Sequence, residues 1–283
     1  VKDTGSELIH EAGGVEILRY VYRPDMPVEE SPKPYFHPLR TLDGDVVTGY
    51  RPHDHRWHKG LQMTASHLSG QNFWGGGTYV HDQARYIQRD NNGTMRHEEW
   101  LSPGVERLTW WTRAGERWVE ETRRFLVTVE ESWWRLDFAT SLRNVRGADL
   151  MFGSPTTHGR PLAGYSGLFW RGPRDLTGGT ILSSDGRSGE DMMGQNAPWL
   201  AYTGRHDEVD RASTLLFLSE PGQTWFARNA WFPAVNPSIA FHDEVRLPPE
   251  ATLDLAYALV VGNGAWEREQ IEEHVSRAAP PRV

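Results

Sequence analysis

The chain has 283 residues, a formal net charge of −8 and no cysteine. An acidic balance without a basic block argues against nucleic acid or an anionic membrane surface as partner. Missing thiols exclude disulfides, thiolate catalysis, iron–sulfur clusters and cysteine-ligated zinc, and no run approaches the ~18 apolar residues that would span a bilayer.

All-β folds of ~200–250 residues often form one domain, so a single β-sandwich over residues 1–283 is expected. The opening Val1-Lys2-Asp3-Thr4-Gly5-Ser6 has no apolar h-region, which sets the expectation of no signal peptide and a cytoplasmic location. The first strand is Val15–Tyr22, β-rich and stopped by Pro24. Tyr35-Phe36-His37-Pro38-Leu39-Arg40 follows, and Leu42-Asp43-Gly44-Asp45 reads as a hairpin turn. Beyond it lies Arg51-Pro52-His53-Asp54-His55-Arg56-Trp57-His58-Lys59. Seven of the twelve histidines (His37, His53, His55, His58, His67, His81 and His97) fall between residues 37 and 97.

Gln71-Asn72-Phe73-Trp74-Gly75-Gly76-Gly77 is a loop whose amides and indole suit a sugar. It is no phosphate cradle, because no Gly-Lys-Ser/Thr follows. From Thr94 to Phe152 a meander is broken at Ser102-Pro103-Gly104, Ala114-Gly115 and Arg146-Gly147. Within it Trp134, Leu136, Phe138, Thr140 and Leu142 alternate against polar neighbours, the period of a half-buried strand. Phe125, Val127 and Val129 repeat that pattern one strand earlier. Thr156–Arg160 and Gly167–Arg171 form a second polar-aromatic patch, with His158 and Arg171 as candidates. Thr214–Ser219, Thr224–Ala227 and Leu253–Val261 complete the strands. Last comes a helix capped by Asn263, with Trp266, Ile271 and Val275 as its apolar stripe.

Three chemistries fit the histidines. His53 and His55, two apart on extended chain, with His58 nearby, suit a divalent metal such as Mn, Zn or Fe. A cupin would carry a glutamate where Arg56-Trp57-His58-Lys59 stands. Alternatively His37, His53, His55 and His158 act as general acids and bases, with Asp54 fixing a tautomer and Arg40, Arg51 and Lys59 holding a developing oxyanion. The plain alternative is loop hydrogen bonding, the better bet for any one histidine but not for seven together.

Tyr35–Leu39, Val46-Val47-Thr48, Asp54-His55, His58-Lys59-Gly60-Leu61 and Asn72-Phe73-Trp74 resemble the N-terminal signature of the bacterial PmoA-like family. Its members are domains of unknown function often labelled "methane oxygenase PmoA". Gly167–Arg171, Ser184–Arg187, Ala197-Pro198-Trp199, Trp225–Arg228 and Asn236-Pro237 continue the resemblance in order, over about residues 15–262. The family usually has a further histidine where this chain has Arg56-Trp57-His58. A membrane monooxygenase subunit needs long apolar spans, so the label does not fit. The resemblance implies a supersandwich similar to galactose mutarotase, and company with sugar catabolism. The expected protein is a sugar-processing enzyme that cleaves or isomerises a glycoside or keto-sugar. Asn72, Trp74 and Arg171 would position the sugar. A non-catalytic carbohydrate-binding protein and a cupin-like metal-dependent oxygenase are the alternatives.

Overall fold

The alternation along Trp133–Asn144 organises the molecule. In the computed structural model, which describes residues 1–220 and 222–277, Trp134, Leu136, Phe138 and Leu142 are buried against the opposite sheet. This strand is central to an antiparallel eight-stranded sheet. Its spatial order is Thr180–Ser183, Trp199–Arg205, Ala212–Ser219, Thr252–Asn263, Trp133–Asn144, Arg117–Val129, Val105–Trp111, Thr94–Ser102. The meander breaks fall at the expected turns. Phe125 is buried, but Val129 at the far end of the same strand is exposed, because the strand outruns the sandwich.

The second sheet has nine strands. Lys2–Asp3, Glu7–Ala12, Val15–Val21, Tyr35–Leu39 and Leu61–Thr64 run in chain order. Gly167–Arg171, Ala234–Ser238, Thr224–Arg228 and Gln195–Asn196 complete it. Side chains alternate between its faces. Leu168, Trp170, Trp225, Ala227 and Val235 join the main core between the sheets. Their neighbours Phe169, Phe226 and Ala234 join a separate apolar cluster with Trp74 and Phe241. That cluster lies on the sheet's outer face.

The Leu42–Asp45 turn forms as expected, closed by Gly44 N–H donating to Thr41 O and by pairing of Arg40 with Val46. The helix is Arg268–Arg277, shorter than the capping pattern suggested. Asn263 does not cap it, since its Oδ1 accepts from Leu42 N–H at 3.2 Å. Instead Gln270 Oε1 accepts from Glu267 N–H at 2.9 Å, in the manner of a capping box. Ile271 anchors the helix to Trp199, Leu216 and Val260 on the outer face of the eight-stranded sheet, with Trp266 and Val275 alongside.

Buried histidines make this fold acid-sensitive. Burial pushes His37 down to about 4 and His67 down to about 3, and holds His58 well below its usual value. Unfolded, each would titrate near ~6.5. Below that pH the unfolded chain binds the extra protons, so stability is full above ~6.5 and falls as pH drops toward 4, by up to ~1.4 kcal/mol per pH unit for each histidine. The urea midpoint is therefore expected to be lower at pH 5 than at pH 7 and flat from pH 7 to 8. A midpoint unchanged at pH 5 would contradict this.

Candidate functional site

Gly60 N–H donates to Gly49 O and Arg51 N–H to His58 O, and Tyr50 pairs with Lys59, so residues 49–60 form a hairpin. Its tip delivers His55, Trp57 and His58 onto the outer face of the nine-stranded sheet. A cavity of about 390 Å³ opens there. Its walls are Trp57, Trp74, Tyr86, Tyr165, Phe169, Phe226, Trp231 and Phe232, with His55, His58, Arg160 and Arg228 set among them. Trp231 is 79% exposed.

The glycine loop serves this wall. Gly75 and Gly76 have positive φ, and a Cβ on either would lie within 2.7 Å of Trp57. Only glycine lets the indole lie flat on that backbone. Asn72 shapes the same turn. Its Oδ1 accepts from Trp74 and Gly75 N–H, both at 2.9 Å, and its Nδ2 donates to Gly76 O at 3.1 Å. Buried Lys33 ties Trp74 down from below, its Nζ donating to Trp74 O at 2.7 Å and Ser31 O at 3.0 Å.

His55 and His58 rings are 4.8 Å apart. His58 Nδ1 lies 3.2 Å from Arg171 Nη1. A guanidinium only donates, so Nδ1 accepts and the ring proton sits on Nε2. Burial first, then Arg171 and His55, hold His58 well below the usual histidine value. Burial also lowers His55, which Asp54 partly opposes, and Arg171 and Arg174 reinforce the lowering. His55 Nδ1 to Asp54 Oδ2 is 3.5 Å, an electrostatic contact rather than a formed hydrogen bond. Arg174 donates to the other oxygen of Asp54 at 3.0 Å. Both imidazoles are thus neutral near pH 7.

Of the residues singled out in the sequence, His55, His58 and Trp74 line the cavity, and Arg171 stands against His58. The others lie elsewhere. His53 is exposed on the hairpin and outside the cavity. Arg51 and Lys59 both donate to buried Glu30, each at 2.5 Å. Burial works against that carboxylate, but the two donors more than offset it and keep its pKa low. His37 stacks on Tyr50 at 4.8 Å and bonds Thr48 Oγ1 through Nδ1 at 2.9 Å, while Arg40 lies near Glu16. His158 stacks on His67 at 4.0 Å, with Glu244 3.8 Å away. Trp170 turns into the main core and donates to Val47 O at 2.9 Å.

Sequence reasoning gave little weight to Arg160, Tyr165, Phe226, Arg228, Trp231 and Phe232. One signal was present. Phe169-x-Arg171 and Phe226-x-Arg228 repeat an aromatic-x-Arg pattern on strands whose intervening residue is core. Both strands flank Ala234–Ser238, and Arg171 and Arg228 each pair with Ala234. The two arginines thus stand in one row on one face, their Cα atoms ~10 Å apart at ~4.8 Å per strand. Their guanidinium carbons lie 4.0 and 5.6 Å from the Phe232 ring.

The described residues do not supply a three-imidazole metal site. His53 is outside the cavity, His58 Nδ1 is taken by a cation, and among the described residues no three His, Asp or Glu side chains gather as ligands.

A protein-family model described as a family of unknown function (DUF6807) matches residues 8–276, and the chain belongs to that family. No curated protein matches it.

Proposed function

We propose from this cavity a sugar-processing enzyme that binds a keto-sugar or its glycoside and moves a proton beside the carbonyl. The observation that carries this is the close pair His55 and His58, both facing one aromatic cavity. Indole and phenol faces pack on the C–H face of a sugar ring, and about 390 Å³ suits a ligand of one or two rings.

A carbonyl acidifies its neighbouring C–H. Neutral His55 takes that proton, the C–H electron pair becomes a carbon–carbon π bond, and the carbonyl π pair moves onto oxygen as an enolate. Nε2–H of His58 hydrogen-bonds that oxygen, its proton held there by Arg171 on the other nitrogen. A neutral imidazole suits this task better than an imidazolium would. Delivery of a proton by water on the opposite face, with His55 losing its own to solvent, inverts the centre. Alternatively the oxyanion pair re-forms the carbonyl, the carbon–carbon π pair shifts to expel an oxygen one carbon further on, and that oxygen takes the proton from His55, which cleaves a glycoside by elimination. The resemblance to PmoA-like proteins and mutarotase-like sandwiches supports sugar as the substrate class.

Exposed Trp231 beside the aromatic walls also favours the second reading, a carbohydrate-binding protein without turnover. The oxygenase alternative requires a ligand set that these residues do not offer. Proton NMR in D₂O discriminates. With a 3-keto-glucoside the enzyme is expected to exchange the C–H next to the carbonyl for deuterium, ahead of or along with epimerisation or cleavage. Binding with no exchange would leave the non-catalytic alternative.

A further inference from the structure

We infer that the ligand of this cavity carries a carboxylate, seated at Arg228 with Arg160 as the second cation. On the function proposed above, which this inference rests on, the substrate is therefore a sugar acid rather than a neutral sugar.

The electrostatics run against the molecule's average. The chain is acidic overall, at −8, yet no aspartate or glutamate among the described residues lines the cavity, while Arg160 and Arg228 do. Arg160 donates to the Tyr86 hydroxyl, which leaves its charge uncompensated. Arg228 Nε is buried and has no hydrogen-bond partner. Arg171, in the same row two strands away, is 1% exposed and also has an unpartnered Nε.

A contrast within the fold gives this weight. Arg123 is equally buried, but there Glu121 Oε1 accepts from its Nε at 2.8 Å. Arg123 also has an unpartnered Nη2, so what separates it from the cavity arginines is the carboxylate that meets its guanidinium. On the cavity side the same residue type is left in a row without one, over a shared Phe232 ring. Like charges on a partly dry surface are costly unless an anion joins them. One guanidinium edge pairs with two oxygens of a carboxylate or of a phosphate alike, so the choice between them rests on the rest of the cavity. No helix N-terminus of the described residues lines the cavity to receive a phosphate.

The test is calorimetric titration of the whole chain at low salt with D-glucuronate, D-glucose, D-glucose 6-phosphate and benzoate. It is run on wild type, Arg228→Gln and Arg160→Gln, with cavity tryptophan fluorescence as second readout. Glucuronate is expected to bind about 10–100-fold more tightly than glucose, and Arg228→Gln to remove most of that margin by weakening glucuronate far more than glucose. Arg160→Gln is expected to remove a smaller part. Arg228 makes no ion pair among the described residues, so its variant should fold, which far-UV circular dichroism checks. Equal binding of glucose and glucuronate, unaffected by either variant, would overturn the carboxylate and leave the sugar reading standing. Benzoate bound through Arg228 with no sugar bound would keep the carboxylate seat and overturn the sugar reading. Tighter binding of the phosphate than of glucuronate would overturn the carboxylate assignment, and no binding of any probe would overturn both.

Discussion

Glu121→Ala is expected to lower the unfolding free energy by about 3–5 kcal/mol, the range for removing one member of a buried ionic cluster. Glu121 lies between the sheets, where its carboxylate accepts from Arg123 Nε at 2.8 Å, Trp110 Nε1 at 2.7 Å and Thr140 Oγ1 at 2.8 Å. The network continues from Arg123 Nη1 to Tyr20 Oη at 2.8 Å, and from Tyr20 to Glu106 Oε2 at 2.5 Å. His97 Nδ1 meets the other Glu106 oxygen at 2.7 Å. Burial alone would drive the Arg123 pKa down, but Glu121, Tyr20 and Glu106 reverse that and raise it. Alanine at 121 leaves the guanidinium under-compensated and strands an indole N–H and a hydroxyl. Glu121→Gln keeps the shape and some acceptor capacity, so its cost should be smaller. Urea unfolding measures both. A cost below about 1 kcal/mol for alanine, at unchanged m, would mean that the cluster is not holding the sheets together.

The same cluster explains where strand polarity misleads. Along Trp133–Asn144 the apolar residues do face inward, so periodicity located both the strand and its core face. Along Arg117–Val129 the inward row is Val119, Glu121, Arg123 and Phe125. Two of those four are charged, and a polar-out rule would turn them to solvent. Their burial depends on Tyr20 and Glu106 from other strands, which local patterning cannot supply.

The cavity divides in a similar way. Histidine density pointed to the hairpin, yet only His55 and His58 reach the cavity, because the hairpin's turn sends His53 to solvent. Arg51 and Lys59 looked like free cations in the sequence, while their partner Glu30 lies in a separate segment. Arg228 and Arg171 share a row only because Ala234–Ser238 lies between their two strands, with Ala234 paired to both. Strand order, not local spacing, assembles the row. Glycine spacing was more informative than it looked, since Gly75 and Gly76 mark the bed of Trp57.

His55→Asn is expected to lower turnover by about 10²–10⁴-fold, the usual contribution of a positioned general base, while binding changes only a few-fold. Asparagine keeps a polar side chain of similar reach but accepts no proton at neutral pH. The pH profile follows from the base's charge state. His55 works when neutral, so kcat/KM is full above its pKa and falls as pH drops through it. Burial has lowered that pKa, so the acid limb should lie below the ordinary histidine value near ~6.5. Arg171→Met supplies the control. Arg171 contributes to the lowering of both imidazoles, while burial pushes its own pKa down to about 10. Removing it should move the acid limb toward higher pH, release the His58 tautomer and cut turnover, with stability unchanged or raised because an unpaired buried charge is gone. A merely structural arginine would give the reverse, a less stable protein with an unmoved pH limb. If the Arg171→Met limb does not move, Arg171 does not position the pair. If His55→Asn retains wild-type turnover, the base must be sought elsewhere in the cavity.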